Sequence, residues 1–240
     1  MIIWLASYPR SGNTFFRILI NHIYGIKTYS IHNDPLFDKL KGSSNVVGHQ
    51  KLEKNYEEMA TSEKLFFVKT HNLPHDNSPA IYLVRDGRDS LVSYAHYMMS
   101  FQNNSFQVTC RKKIKTLLGW NEYAEILNKL IVSSGGNYGN WSEHVKQWKE
   151  RDSPTFVLKF EDLIGNPTYH IATAIEVIDS QKQFSIKNKY IPSFEELHAQ
   201  WPQFFRKGKS GSWQQEMSQE LQTLFWEHHG SIMKELGYSQ

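Results

Sequence analysis

Cysteine is almost absent from this sequence: Cys110 is alone among 240 residues. That excludes an intrachain disulfide and a zinc cluster built on several thiolates, and it fits a reducing compartment. No apolar run approaches the roughly 20 residues that a membrane-spanning helix needs. The apolar stretch before Arg10 is too short for the core of a secretory leader. Neither sign of charge dominates, since 27 Lys and Arg stand against 24 Asp and Glu. The net +3 favours an anionic small ligand without calling for a nucleic acid. The densest cationic cluster, Arg111–Lys112–Lys113, reads as a solvated helix start. Internal repeats, low-complexity stretches and long linkers are missing too, so residues 1–240 read as a single domain. A cytoplasmic protein with no membrane partner is expected, although the same features fit a domain cut from a longer chain.

What is present is an alternation. β-preferring apolar runs recur at Ile2–Ala6, Leu65–Val68, Ala80–Val84 and Thr155–Lys159. Each is followed by a polar turn and, in most cases, by a segment of helical period. Helices are expected over Asp86–Met99, Ile114–Val132, Trp141–Trp148, Tyr169–Ile178 and Leu221–Leu236, and directly after the first strand. Strands alternating with helices imply an α/β fold of three layers (α/β/α) around a central parallel sheet of about five strands. Ligands in such folds sit at the carboxyl ends of strands. Arg10, His71, Arg85 and Glu161 all follow strands.

Four segments carry anion-binding chemistry. Ser7–Tyr8–Pro9–Arg10–Ser11–Gly12–Asn13–Thr14 joins the first strand to a helix start, where unpaired amides and the helix dipole suit a phosphate or sulfate. The pattern is P-loop-like but not a Walker A motif: Ser7 replaces the first glycine and Asn13 the lysine. The bland alternative is a strand-to-helix turn capped by Ser11 or Asn13. Lys69–Thr70–His71 directly follows the strand Leu65–Val68, offering a base near neutral pH beside a cation; a surface His beside a surface Lys is the alternative. His71 and His75 stand four apart as in zinc helices, but Pro74 disfavours a helix there, so no metal is expected. Arg85 ends the next strand, with Ser93 about two helical turns on. There the alternative is a capped helix start in which Asp86 or Asp89 pairs with Arg85 and Arg88. Arg206–Lys207–Gly208–Lys209–Ser210–Gly211–Ser212–Trp213 is a basic, glycine-containing loop able to fold over an anion; a solvated connector is the alternative.

Together these segments resemble the sulfotransferases that use 3′-phosphoadenosine 5′-phosphosulfate (PAPS), of the cytosolic type and its bacterial relatives. The resemblance runs from Tyr8 to Trp213. It implies that Arg10, Ser11, Gly12, Asn13 and Thr14 hold the 5′-phosphosulfate and that Phe15 stacks on adenine. Arg85, Ser93, Arg206, Lys207 and Gly208 would hold the 3′-phosphate. His71 would be the catalytic base, with Lys69 and Arg10 stabilising charge on the leaving group. PAPS would be the co-substrate, no metal would be needed, and the acceptor would be a small molecule bearing a hydroxyl or amine. Arg10 stands where the animal enzymes mostly have Lys, Phe15 where they have Trp, Phe160 for Tyr, and Ser212 for Asp. The family's short dimerisation motif has no clear match, so no dimer is assumed. An acceptor wall is expected from Tyr94, Tyr97, Met98, Phe101–Leu118, Phe16 and Trp141, with His96 and His144 in structural roles. Two other readings share the strand–loop–helix start: a small-molecule kinase, which the missing Walker lysine disfavours, and a non-catalytic nucleotide-binding protein.

Overall fold

The computed structural model describes residues 1–32, 42–51, 55–101, 121–133, 136–178, 184–188, 190–200, 202, 205, 208 and 210–240. Cys110, the Arg111–Lys113 cluster and the start of the expected helix at Ile114 lie outside them. Five parallel strands form one sheet in the order β2-β3-β1-β4-β5. They are β1 (Ile2–Ser7), β2 (Thr28–Ser30), β3 (Phe66–Thr70), β4 (Ala80–Val84) and β5 (Thr155–Lys159). β1 lies at the centre, with Leu5 opposite Lys69 of β3 and Ile81 of β4.

Strand period explains the layering. Successive residues of β1 point to opposite faces, so Ile2, Trp4 and Ala6 enter one core and Ile3 and Leu5 the other. The first core is covered by α4 (Gly87–Phe101), α5 (Glu122–Val132), α6 (Trp141–Glu150) and α11 (Gln219–Glu235). The second is covered by α1 (Asn13–Tyr24), α2 (Ser43–Val47), α7 (Phe160–Gly165), α8 (Pro167–Ile178) and α9 (Phe194–Gln200). Two further short helices are α3 (Tyr56–Thr61) and α10 (Trp213–Glu216). β1 is buried along its whole length, as a two-faced parallel strand must be. Each large side chain it buries contributes about 1.5–3 kcal/mol.

The chain leaves β1 toward one face, into α1, and leaves β4 toward the other, into α4. β1 and β4 are neighbours, so a crevice opens between their carboxyl ends, the position where doubly wound sheets bind ligands. The expected three-layer α/β/α architecture and five-stranded parallel sheet are present. The fifth strand, β2, was not among those placed from the sequence. Its three residues, Thr-Tyr-Ser, lack the apolar run that marks the others.

Candidate active site

The loop after β1 is built to expose amides. Arg10 has φ 67°, a left-handed conformation that costs a non-glycine residue about 1–2 kcal/mol. Gly12, the N-cap of α1, has φ 94°, and no side chain caps the helix. The first helical bond runs from the Phe16 amide to the Gly12 carbonyl, so the amides of Asn13, Thr14 and Phe15 have no acceptor within α1. A Cβ at position 12 would stand 2.4 Å from Phe160 Cδ2. The capped-turn alternative fails here, because Gly12 is the N-cap, Asn13 already lies inside the helix, and no side chain bonds the helix start. Asn13 Nδ2 donates to the Leu5 carbonyl (2.8 Å) and to Ser7 Oγ (3.2 Å). Ser11 Oγ pairs with Ser90 Oγ (3.2 Å), and the Ser11 amide donates to the Tyr8 carbonyl (3.3 Å).

A cavity of about 340 Å³ opens over this loop. Of the residues expected at the site, Arg10, Gly12, Asn13, Thr14, Phe15, Lys69, His71, Arg85, Ser93 and Gly208 all border it. Ser11 does not: it is buried beneath the loop, and its bonds tie the loop to α4. Arg206 and Lys207 lie outside the described residues. Tyr94 and Tyr97 also border the cavity. The rest of the expected acceptor wall divides. Phe16 and Trp141 are fully buried in the two cores, and Met98 packs against one of them; both α1 and α6 turn these apolar faces to the sheet. Residues 102–118 lie outside the described residues.

The cations are pinned. Arg85 is 9% exposed. Its guanidinium carbon sits 4.8 Å over the Phe160 ring, Nη1 donates to the Arg10 carbonyl (3.4 Å), and Nη2 lies 3.9 Å from Asp89. Arg85 therefore braces the strained residue of the first loop. Arg10 Nε donates to Ser93 Oγ (3.2 Å), and its guanidinium lies 5.2 Å from the centre of the Tyr97 ring. The capped-helix alternative holds for the neighbouring pair. Asp86 Oδ1 accepts the Arg88 amide (2.9 Å), and Arg88 bonds both Asp86 oxygens, at 3.0 and 2.7 Å. Arg88 also lies 3.7 Å over Trp213.

His71 has a defined tautomer. Its Nδ1 is 2.7 Å from the Ser7 carbonyl. A carbonyl only accepts, so Nδ1 carries the proton and Nε2 keeps the lone pair. Burial, then Lys69, holds its pKa well below the ordinary value, against the opposing pull of the Ser7 bond. The ring is neutral at pH 7 and able to take a proton at Nε2. Its backbone carbonyl accepts from His144 Nε2 (2.9 Å), while His144 Nδ1 accepts from Tyr82 (2.9 Å). His144 thus has the structural role expected of it, and His96, paired with Glu216 at 2.7 Å, is outside the cavity lining.

Sequence reasoning missed three contributors. His32 and Tyr138 border the cavity; His32 sits two residues past a strand too short to read. The sequence offers Asp89 only as a helix cap or a partner for Arg85 and Arg88. Fully buried, it accepts the amides of Gly211 (2.7 Å) and Trp213 (3.1 Å) and the Ser212 hydroxyl (2.9 Å). This carboxylate anchors the basic loop to α4.

The sulfotransferase domain model matches residues 2–237. The chain belongs to the sulfotransferase domain family. It is 24% identical to rat Sulfotransferase 1E1, over 96% of this chain and 83% of that protein. It is 26% identical to dog Sulfotransferase 1B1, over 87% of this chain and 75% of that one. Among solved structures, mouse sulfotransferase SULT7A1 complexed with PAP superposes with a TM-score of 0.65 at 20% identity, over 97% of this chain and 83% of that chain. A retinol dehydratase in complex with retinol and PAP gives 0.57 at 18% identity, over 97% and 81%. The sulfotransferase domain thus shares its fold with both. Among the described residues, no helix is long and apolar enough to cross a membrane.

Proposed function

We propose that this sulfotransferase domain moves a sulfuryl group from PAPS to a hydroxyl or amine of a small-molecule acceptor and releases PAP. One observation carries the reading. The open amides of α1, three cations (Arg10, Lys69, Arg85) and the lone-pair nitrogen of His71 belong to a single cavity. That donor set fits a doubly phosphorylated nucleotide: helix-start amides for the 5′ end, and arginine with a serine hydroxyl for the 3′-phosphate. Phe15 and Phe160, packed edge to face at 6.3 Å, provide an aromatic wall for a base.

As in phosphoryl transfer, positioning and charge stabilisation dominate the chemistry. His71 Nε2 takes the acceptor proton as the acceptor oxygen or nitrogen bonds to sulfur. The sulfur–oxygen bond to the 5′-phosphate breaks, and that bridging oxygen leaves with the electron pair on PAP. Lys69 and Arg10 meet the charge that grows there; Arg10 does so without giving up its proton. The amides of Asn13 to Phe15 hold the 5′-phosphate, Phe15 stacks on the base, and Arg85 and Ser93 hold the 3′-phosphate. Gly208, with Arg206 and Lys207, completes that 3′ grip. Ser11 serves through its bond to Ser90. Asn13 stands where a kinase P-loop has lysine, and its side-chain amide is committed to Leu5 and Ser7, so the kinase reading has no support in this loop. A cytoplasmic location belongs to the same reading, supported by the single cysteine.

The test is incubation with sulfur-labelled PAPS and a panel of phenols, alcohols and amines. Label in an acceptor, with stoichiometric PAP, is the expected result. Binding of PAP without transfer to any acceptor would leave a nucleotide-binding protein, and ATP consumption in place of PAPS would leave a kinase.

A further inference from the structure

A second imidazole touches His71 and has no part in the chemistry above. His32 Nε2 lies 2.8 Å from the backbone nitrogen of His71. A peptide N–H only donates, so His32 must present a lone pair at Nε2 and carry its proton on Nδ1. The two rings stack, with centroids 5.2 Å apart and planes inclined at 28°. Tyr138 closes edge-on against both, at 6.1 and 6.3 Å. His32 is itself held by Ser30, whose hydroxyl donates to the His32 carbonyl (2.9 Å) and accepts the His32 amide (3.1 Å).

We propose that His32 is a positioning residue: it grips the His71 amide and ring face so that His71 keeps Nδ1–H on the Ser7 carbonyl and its Nε2 lone pair for the acceptor. The chemical meaning of that lone pair rests on the sulfuryl-transfer reading; the positioning itself does not. The His71 peptide is held from both sides by imidazoles, its N–H by His32 and its C=O by His144. The two holds differ. His144 donates and keeps its bond in either charge state, whereas His32 accepts and loses its bond on protonation. The charged and titratable groups facing this cluster are Lys69 of β3, His71, His144 of α6 and Tyr138. Burial, then Lys69, lowers the His32 pKa to about 4, which preserves the acceptor at neutral pH. A carbonyl would satisfy a buried amide equally well. What the imidazole adds is a flat face for the His71 ring.

Long-range proton–nitrogen NMR spectra of the whole chain test this without any acceptor. The wild type should show His71 as one Nδ1–H tautomer, and His32 likewise, with an unprotonated Nε2 down to about pH 4. His32→Gln keeps an acceptor oxygen for the amide and should keep the single His71 tautomer. His32→Leu has no acceptor and should give mixed His71 tautomers. With the best acceptor of the panel, its kcat should fall at least about fivefold at unchanged PAP affinity, with recovery in His32→Gln. A folded His32→Leu variant with the wild-type His71 tautomer and kcat would overturn the proposal. So would a wild-type His32 protonated on Nε2 at neutral pH, which decides the matter even if His32→Leu does not fold. Expected spectra without any sulfuryl transfer would defeat the functional reading and leave the positioning intact.

Discussion

Replacing Arg85 by methionine should separate two nucleotides that differ by one phosphate. Arg85 is nearly buried and held by the Arg10 carbonyl at 3.4 Å, by Asp89 at 3.9 Å and by the face of Phe160 at 4.8 Å. A side chain so fixed has little rotamer entropy left to lose on binding, so its contact with a phosphate is expressed almost in full. Methionine keeps the unbranched stem against Phe160 and removes only the charge and its donors. A charge-assisted hydrogen bond is worth roughly 1.5–3 kcal/mol. At 1.36 kcal/mol per decade, that is a roughly 10- to 150-fold loss of PAP affinity. 5′-AMP lacks the 3′-phosphate and should weaken only a few-fold. Calorimetric titration of both ligands into both proteins, at one fixed salt concentration because phosphate contacts are screened, gives the four values. A melting curve checks that the variant is folded. Equal losses for PAP and AMP would refute the assignment and leave Arg85 as a brace for the Arg10 carbonyl alone.

Three further outcomes follow from the same geometry. Gly12→Ala combines a left-handed φ with a Cβ 2.4 Å from Phe160; it should lower stability by about 2 kcal/mol or more and abolish PAP binding, and a variant that melts and binds like the wild type would contradict the loop's account. His144 and His229 are fully buried and held to pKa values of about 4, chiefly by desolvation. Unfolded histidines bind protons below about pH 6.5 while these two do not, so each contributes stability that is complete above pH 6.5 and lost as pH falls toward 4, about 3 kcal/mol apiece. Denaturant titrations between pH 7.5 and 4 should show that decline, shallower in His229→Gln; equal stability across the range would contradict it. Asp89→Asn places an amide group among donors from residues 211–213, and should weaken PAP at least roughly tenfold by releasing the loop, a loss read by the same calorimetry.

The layers of the fold were legible because the strands after Met1, Leu65, Pro79 and Pro154 carry dense apolar runs, and because each delivers a charged residue at its end. β3 starts one residue later than the sequence pattern marks and runs through Lys69 and Thr70, since the register with β1 continues to Thr70 whatever the side-chain polarity. β2 was hidden for a related reason: three residues paired on β3 need no apolar pattern of their own. With it went His32. Asp89 reads as a helix cap or an arginine partner because sequence shows a carboxylate near a helix start, not the loop 122 to 124 residues further on that folds onto it. Ser11 and Asn13 sit within the motif yet turn their side chains inward, a distinction that a motif does not carry.

The most direct test pairs turnover with binding in His71→Asn. Asparagine retains a donor for the Ser7 carbonyl but has no basic nitrogen. Sulfuryl transfer from PAPS should fall by about 100-fold or more, the usual contribution of a general base, while the PAP dissociation constant stays within a few-fold of wild type. A variant that transfers sulfate at the wild-type rate would contradict the account, because the cavity would then have no need of the imidazole placed beside it.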